Sequence, residues 1–312
     1  MLRSYRFKVE ENTFQALFDE FITVKAAEGR SEHTLASYQA HMNAIGFFLD
    51  TGKNIDEYTT AEIRKAVGKM ARSDLSRNTI RSYTATLSTF FSWLRAEGLS
   101  DVKIALFCGE ESVPTTYSPS ELTRLLKRPK RGAEFSEFRT WVIINLLVNN
   151  GIRAASVRAI EVRDVSLDAS VIYLRHTKNR RTQAIPLSPE LSKIIAEYLK
   201  IRRGEPEDPL FPDMNGKPMS ATCLRGAIRR YNERRGVNKG GIHAFRHTFA
   251  RMYLVDCNGN ALKLQRLLGH STLDMTKKYV QIFDKDLVDD FQQMSPLEAI
   301  KKTSSQRNAR KT

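Results

Sequence analysis

Apolar residues near the start of the chain recur at helical spacing. Phe14, Leu17, Phe18, Phe21 and Ile22 lie three or four apart, as one buried helix face requires. Thr34, Tyr38, Met42, Ile45 and Leu49 continue the pattern in a second helix, with Ser31-Glu-His-Thr-Leu as its polar start. Thr60 precedes a short third helix. Ser76 through Leu94 forms a fourth, whose inward face carries Ile80, Tyr83, Leu87, Phe90, Phe91 and Leu94. No strand pattern interrupts them, so the region reads as a bundle of about four helices with short connections. Gly98 ends the last helix, because glycine accepts the left-handed cap geometry.

The pattern then changes. Residues 108–118, CGEESVPTTYS, have no periodicity and include Pro114, which predicts a linker. Ser118-Pro-Ser-Glu-Leu opens a helix with proline inside its start and an acidic first turn. A long apolar helix over 136–149 ends at the abrupt turn Asn150-Gly-Ile-Arg153. Residues 160–165, 171–176 and 181–187 read as short strands, the last two joined by the basic hairpin 177–180. Helices are expected at about 189–202, 219–234, 243–256, 260–268 and 273–282, with a proline- and glycine-rich loop at 204–218. The fold class is therefore mainly α: an N-terminal all-helical bundle plus a C-terminal mixed α/β domain with a small three-stranded antiparallel sheet. The expected boundaries are 1–107, a linker at 108–118, a second domain at 119–294 and a basic polar tail at 295–312.

Charge separates the two halves further. The net charge is +15, yet residues 1–110 hold 14 Lys or Arg against 14 Asp or Glu, and residues 111–312 hold 36 against 21. A compact region this basic favours a polyanionic partner; solvated surface charge and a ribosome-like role are the alternatives. Cys108, Cys223 and Cys257 lie far apart with no CxxC spacing, which signals neither a zinc ribbon nor a disulfide scaffold. The N-terminus lacks the apolar stretch of a secretory signal, and the apolar run 141–148 is too short to span a bilayer. The expectation is a cytoplasmic protein with no membrane partner.

The chemistry concentrates in a few stretches. GIHAFRHTFA, Gly241–Ala250, places His243, Arg246 and His247 within one helical turn. The two histidines have the spacing of HExxH, but residue 244 is Ala, so that motif's general base is missing and no third metal ligand is signalled. The structural alternative is a cap or a polar helix face. Arg153 sits at its turn, Lys178 at the hairpin tip, and His270 just past a glycine helix end in Leu267-Leu-Gly-His-Ser271. Tyr279 follows nine residues later. Alone, Arg153 reads equally as a helix-end cap, Lys178 as a surface charge and Tyr279 as a core-edge aromatic. Their order and spacing together are distinctive.

Arg153, Lys178, His243-Ala-Phe-Arg246, Leu268-Gly-His270 and Tyr279 resemble, in order, the active-site set of the tyrosine recombinase, or phage integrase, family. The resemblance spans about 118–290, and Ser31-Glu-His-Thr-Leu-Ala-Ser-Tyr38 resembles the start of that family's core-binding domain. It implies an enzyme in which Tyr279 attacks a DNA phosphate. Charge then spreads over the non-bridging oxygens, which the forked donors of Arg153 and Arg246 suit, with a further hydrogen bond from His270. A phenol with a pKa of about 10 needs help losing its proton. His243 accepts that proton or orients the phosphate, and Lys178 protonates the leaving 5′ oxygen. His176 and His247 read as structural or phosphate-side residues.

The resemblance further implies a 3′-phosphotyrosyl intermediate that conserves bond energy, so no cofactor and no metal are expected. The partners implied are double-stranded DNA carrying specific recombination sites and a homotetramer in the synaptic complex, which works through a Holliday junction. A second recombinase or an accessory protein is a further expected partner. Arg72, Arg77, Asn78, Thr79 and Arg81, near the start of the fourth helix, are a candidate groove-facing surface or a plain solvated face. Lys277 is a DNA-backbone contact or a solvated charge. The stretch carrying Phe283, Leu287, Val288 and Phe291 docks on a neighbouring protomer or folds back. No additional N-terminal arm-binding domain is expected. One departure stands out: three positions after the first arginine the family usually has an acidic residue, and here Ser156 stands, with Asp164 nearby. A type IB topoisomerase and a non-catalytic DNA-binding module are the competing functions. Mobile-element integration, dimer resolution and inversion are all open biological roles.

Overall fold

The computed structural model describes residues 12–110, 114–175, 182–239, 241–269 and 279. The chain divides into two compact units, Met1–Ser112 and Val113–Thr312.

The first unit holds α1 (Phe14–Ala27), α2 (Glu32–Ile45), α3 (Thr60–Ala71) and α4 (Arg77–Ala96). Each begins on a hydroxyl. Thr13, Ser31, Thr59 and Ser76 accept the backbone N–H groups of Ala16, Thr34, Glu62 and Thr79, donors that a helix start leaves without partners. Phe14, Leu17, Phe18 and Phe21 of α1 meet Leu87, Phe90, Phe91 and Leu94 of α4 in a fully buried core. Phe90 is its hub, with ring centroids 5.0, 5.4 and 5.4 Å from Phe14, Phe18 and Phe21 in edge-on contacts. Ile22, Tyr38 and Tyr83 pack at the margin as half-buried residues. Gly98 takes a φ of +73° where α4 ends. The chain beyond it returns across α4, where Phe107 donates its N–H to Thr84 Oγ1 and Arg95 Nη1 donates to the Val102 carbonyl.

The second unit is built on α6 (Phe135–Asn150), a helix apolar on nearly every side and covered accordingly. Around it lie α5 (Pro119–Leu126), α7 (Ala154–Ala159), α8 (Pro189–Arg202), α9 (Ala221–Arg234), α10 (Ile242–Arg251) and α11 (Ala261–Leu268). Ser118 and Glu121 close a capping box at the start of α5. The antiparallel sheet runs β1 (Val165–Ser166), β2 (Val171–Leu174), β3 (Gln183–Pro186), with Ile172 opposite Ile185. Ile172 and Leu174 point into the core and Tyr173 outward, the alternation a one-sided sheet requires.

Three expectations shift. The first strand is shorter than the predicted 160–165, because Val162–Asp164 forms a 3-10 turn. The Asp164 carboxylate accepts the Glu161 N–H and pairs with Arg175, while the Val162 and Arg163 N–H groups bond to the loop carbonyls of Asp208 and Pro206. Those donors are therefore unavailable to a strand ladder. The predicted helix 243–256 is α-helical only to Arg251 and widens into a π turn over Met252–Asp256, where the Cys257 N–H reaches back to Met252 O. The predicted helix 219–234 starts at Ala221, behind the cap Ser220. The hairpin 177–180 lies outside the described residues, as does 273–282 apart from Tyr279.

Candidate active site

Gly151 ends α6 at a φ of +58°, and a Cβ there would stand 2.5 Å from the Phe249 ring. Only glycine satisfies both the left-handed turn and the close approach. The turn delivers Arg153, the residue immediately before α7, whose Nη2 donates to the Gly269 carbonyl at 3.1 Å. Arg246, on α10, is only 5% exposed. Its Nη1 donates to Gly151 O and its Nη2 to Leu268 O, both at 2.9 Å. Gln183, at the start of β3, donates from Nε2 to Arg266 O and Leu267 O at 2.8 and 2.9 Å.

Three side chains from distant positions thus supply donors to the last carbonyls of α11 and to the Gly269 cap. A helix C-terminus carries partial negative charge and carbonyls with no partners inside the helix, which makes it less costly to bury Arg246 and to half-bury Arg153 there. Burial still pushes the Arg246 pKa down to about 10; the neighbouring Arg153 adds to the fall and Tyr279 opposes it. Burial also lowers Arg153, again against Tyr279. Both stay cationic at neutral pH. Among the described residues neither arginine has a carboxylate partner; Asp164, close to Arg153 in the chain, is engaged by Arg175. Ser156 is buried on α7, so the position where the family usually has an acidic residue carries no charge here.

Tyr279 is 7% exposed and packs with Phe249, Leu264 and Leu268. Its hydroxyl lies 3.0 Å from His247 Nδ1. Burial raises the phenol's pKa, and Arg246 and Arg153 pull it back. Burial first, then His243 and Arg246, lower His247 below its ordinary 6.5, so its ring is neutral at pH 7.

The fold therefore brings Arg153, Arg246 and Tyr279 together. His243 is exposed on the same helix and close enough to bias His247. Lys178, His270 and Lys277 lie outside the described residues. The sequence places His247 as a structural or phosphate-side residue and not as a group acting on Tyr279; the available signal was its place beside Arg246 in the same helical turn. In the first unit Arg72, Arg77, Asn78 and Arg81 are exposed and Thr79 half-buried, its backbone N–H held by the Ser76 cap. Part of that surface is covered by the unit's own chain. Arg77 donates to Cys108 O and lies 5.3 Å from the Phe107 ring centre, and Gly109 packs against Asn78 and Arg81. Among the described residues no helix is long and apolar enough to cross a membrane.

Comparison with known proteins matches this architecture. Residues 116–286 fit the phage integrase family, and residues 18–98 fit the phage integrase N-terminal SAM-like domain. A tyrosine recombinase XerC from Thermodesulfovibrio yellowstonii is 26% identical, covering 88% of this chain and 94% of the relative. Another XerC, from Corynebacterium glutamicum, is 25% identical over 90% and 92%. Among solved structures, the Tn1549 transposon integrase with transposon right end DNA superposes with a TM-score of 0.72 at 18% identity, covering 86% of this chain and 94% of that one. A lambda integrase tetramer bound to a Holliday junction gives 0.70 at 19% identity, covering 87% and 78%. The chain belongs to the phage integrase family and is a tyrosine recombinase.

Proposed function

We propose that this enzyme is a site-specific recombinase that cuts and rejoins DNA through a 3′-phosphotyrosyl bond to Tyr279. One observation carries the reading: buried Arg246 and half-buried Arg153, without carboxylate partners among the described residues, flank the hydroxyl of a buried tyrosine. A phosphodiester is the anion that completes such a site, and its transition state gains most from fixed cations. Arg153 and Arg246 hold the non-bridging oxygens, with His270 adding a donor and His243 contacting the phosphate from the exposed side of α10. The phenolate attacks phosphorus. The P–O5′ bond breaks, and Lys178 protonates the leaving oxygen. A 5′ hydroxyl from the partner strand reverses the sequence and releases Tyr279.

In this reading four protomers exchange strands in pairs through a Holliday junction, by analogy with the lambda integrase tetramer bound to such a junction. The helical unit, residues 1–107, and the catalytic unit, 119–294, both bind duplex DNA. Exposed Arg72, Arg77, Asn78 and Arg81, with Thr79 and Lys277, contribute contacts to it. The decisive experiment traps a nicked suicide duplex built from the DNA flanking the coding sequence. A covalent adduct forms with the wild type and is absent with Tyr279→Phe. An adduct of equal yield in the variant removes Tyr279 as the nucleophile. Relaxation of unrelated supercoiled plasmid without pairing of sites favours the topoisomerase alternative.

A further inference from the structure

The nucleophile's proton must go somewhere, and the groups around Tyr279 differ in their fitness to take it. Arg246 and Arg153 lie close enough to the Tyr279 hydroxyl to favour its ionised form, but neither takes its proton. His247 Nδ1 lies 3.0 Å from that oxygen, within reach for direct transfer. His243 is exposed, whereas His247 is half-buried with its ring beside the phenol. Arg153 and Arg246 remain protonated and cannot accept. We propose that His247 is the proton acceptor for Tyr279, which leaves His243 the other role the family resemblance implies for it, orienting the phosphate.

This proposal rests on the recombinase reading of the site and names its base. In the forward step the Tyr279 O–H bond breaks and the proton passes to Nδ1, with Nε2 carrying the ring's resident hydrogen. The phenolate oxygen bonds to phosphorus while the 5′ oxygen leaves with a proton from Lys178. In rejoining, the 5′ oxygen of the incoming strand bonds to phosphorus as its proton passes to Lys178, the phosphotyrosyl bond breaks, and the phenolate recovers its proton from Nδ1. Electrostatics fit the assignment. Among the described residues the charged and titratable groups facing His247 are His243, Arg246 and Tyr279, with Arg153 facing the same phenol. Burial and the two basic neighbours hold the ring neutral in the resting enzyme, so the acceptor is vacant. The acquired positive charge is tolerable once an anionic phosphate occupies the site.

The test measures single-turnover adduct formation on the same suicide duplex in two forms. One has an ordinary scissile phosphate, and the other has sulfur replacing the bridging 5′ oxygen. A thiolate leaves without a proton, so the sulfur form bypasses the general acid but still needs an ionised Tyr279. With both forms, His247→Ala is expected to slow cleavage about 10²-fold or more. His247→Asn, which keeps an acceptor near the Nδ1 position and cannot take the proton, is expected to stay comparably slow. Lys178→Ala, by contrast, is rescued by sulfur. The wild-type rate is expected to fall tenfold per unit as pH drops below the His247 pKa, which lies under 6.5, and this acid limb disappears in both His247 variants. Restoration by Asn, rescue of His247→Ala by sulfur, or an unchanged rate and pH profile each overturn the proposal. If Tyr279→Phe still forms adduct, the underlying reading fails; if it forms none while His247 variants are normal, only the base assignment fails.

Discussion

The two units solve the burial problem in opposite ways. In the first, the buried polar residues among those described are Thr84 and Thr86, and the core is otherwise aromatic and aliphatic. The second buries Arg139, Asp164 and Arg246 along with Thr140, Asn150, Ser156, Asn232 and Thr248. Burying a guanidinium is costly unless its donors are satisfied. Arg246 meets that condition with two carbonyls, Arg139 in part with the Pro212 carbonyl, and Asp164 with Arg175 and a backbone N–H. The first unit thus fills its interior with apolar contacts, whereas the second holds charged groups in its interior, tied to carbonyls, a backbone N–H or Arg175.

Single substitutions test that contrast. The largest expected effect is on cohesion: Phe90→Ala removes the aromatic hub and is expected to cost about 3–5 kcal/mol of the first unit's stability. Denaturant titration followed by Trp93 fluorescence, in a Trp141→Phe background so that one tryptophan reports, gives the number. A loss under about 1 kcal/mol there means the core has collapsed around the gap and Phe90 is no hub.

Next in size is Arg246→Lys. An ammonium cannot fork to Gly151 O and Leu268 O while also meeting a phosphate, so adduct formation is expected to slow about 10²–10³-fold. Helical circular dichroism is expected to stay near that of the wild type. Cleavage within about threefold of wild type contradicts the bidentate role.

The smallest effect sharpens the comparison with a matched pair of glycines. Gly98 has a φ of +73° and open space where a Cβ would go, whereas Gly151 has a φ of +58° and the Phe249 ring 2.5 Å away. Gly98→Ala is expected to cost about 1 kcal/mol from backbone conformation alone. Gly151→Ala is expected to cost more and also to slow cleavage, because it displaces the carbonyl that anchors Arg246. Equal losses in thermal unfolding, with cleavage unchanged, refute the crowding at Gly151.

Local features are readable from the chain alone. The helical spacing of Phe14 through Phe21, the hydroxyl caps Ser31, Ser76 and Ser118, and the glycine ends at 98, 151 and 269 each depend on neighbours within a few residues. Segment 160–165 misleads because its apolar alternation resembles a strand, while the bonds that bend it come from residues 206–210, beyond any local window. The π turn after Arg251 escapes for a similar reason: the apolar pattern runs on through a change in hydrogen bonding. The sequence does not show the contact of His247 with the phenol, because Tyr279 is 32 residues away.

The sequence by itself determined the helical bundle, the mixed second unit, the imbalance of charge and the order of the candidate active-site residues. These follow from spacing, caps and composition, which act over short stretches of chain. Only the tertiary structure decided that Arg153 reaches a carbonyl 116 residues on, that Arg246 joins the turn after α6 to the end of α11, and that His247 meets the tyrosine hydroxyl. A side chain's pKa and hydrogen-bond partner depend on which distant segments exclude water around it, and folding alone brings those segments together.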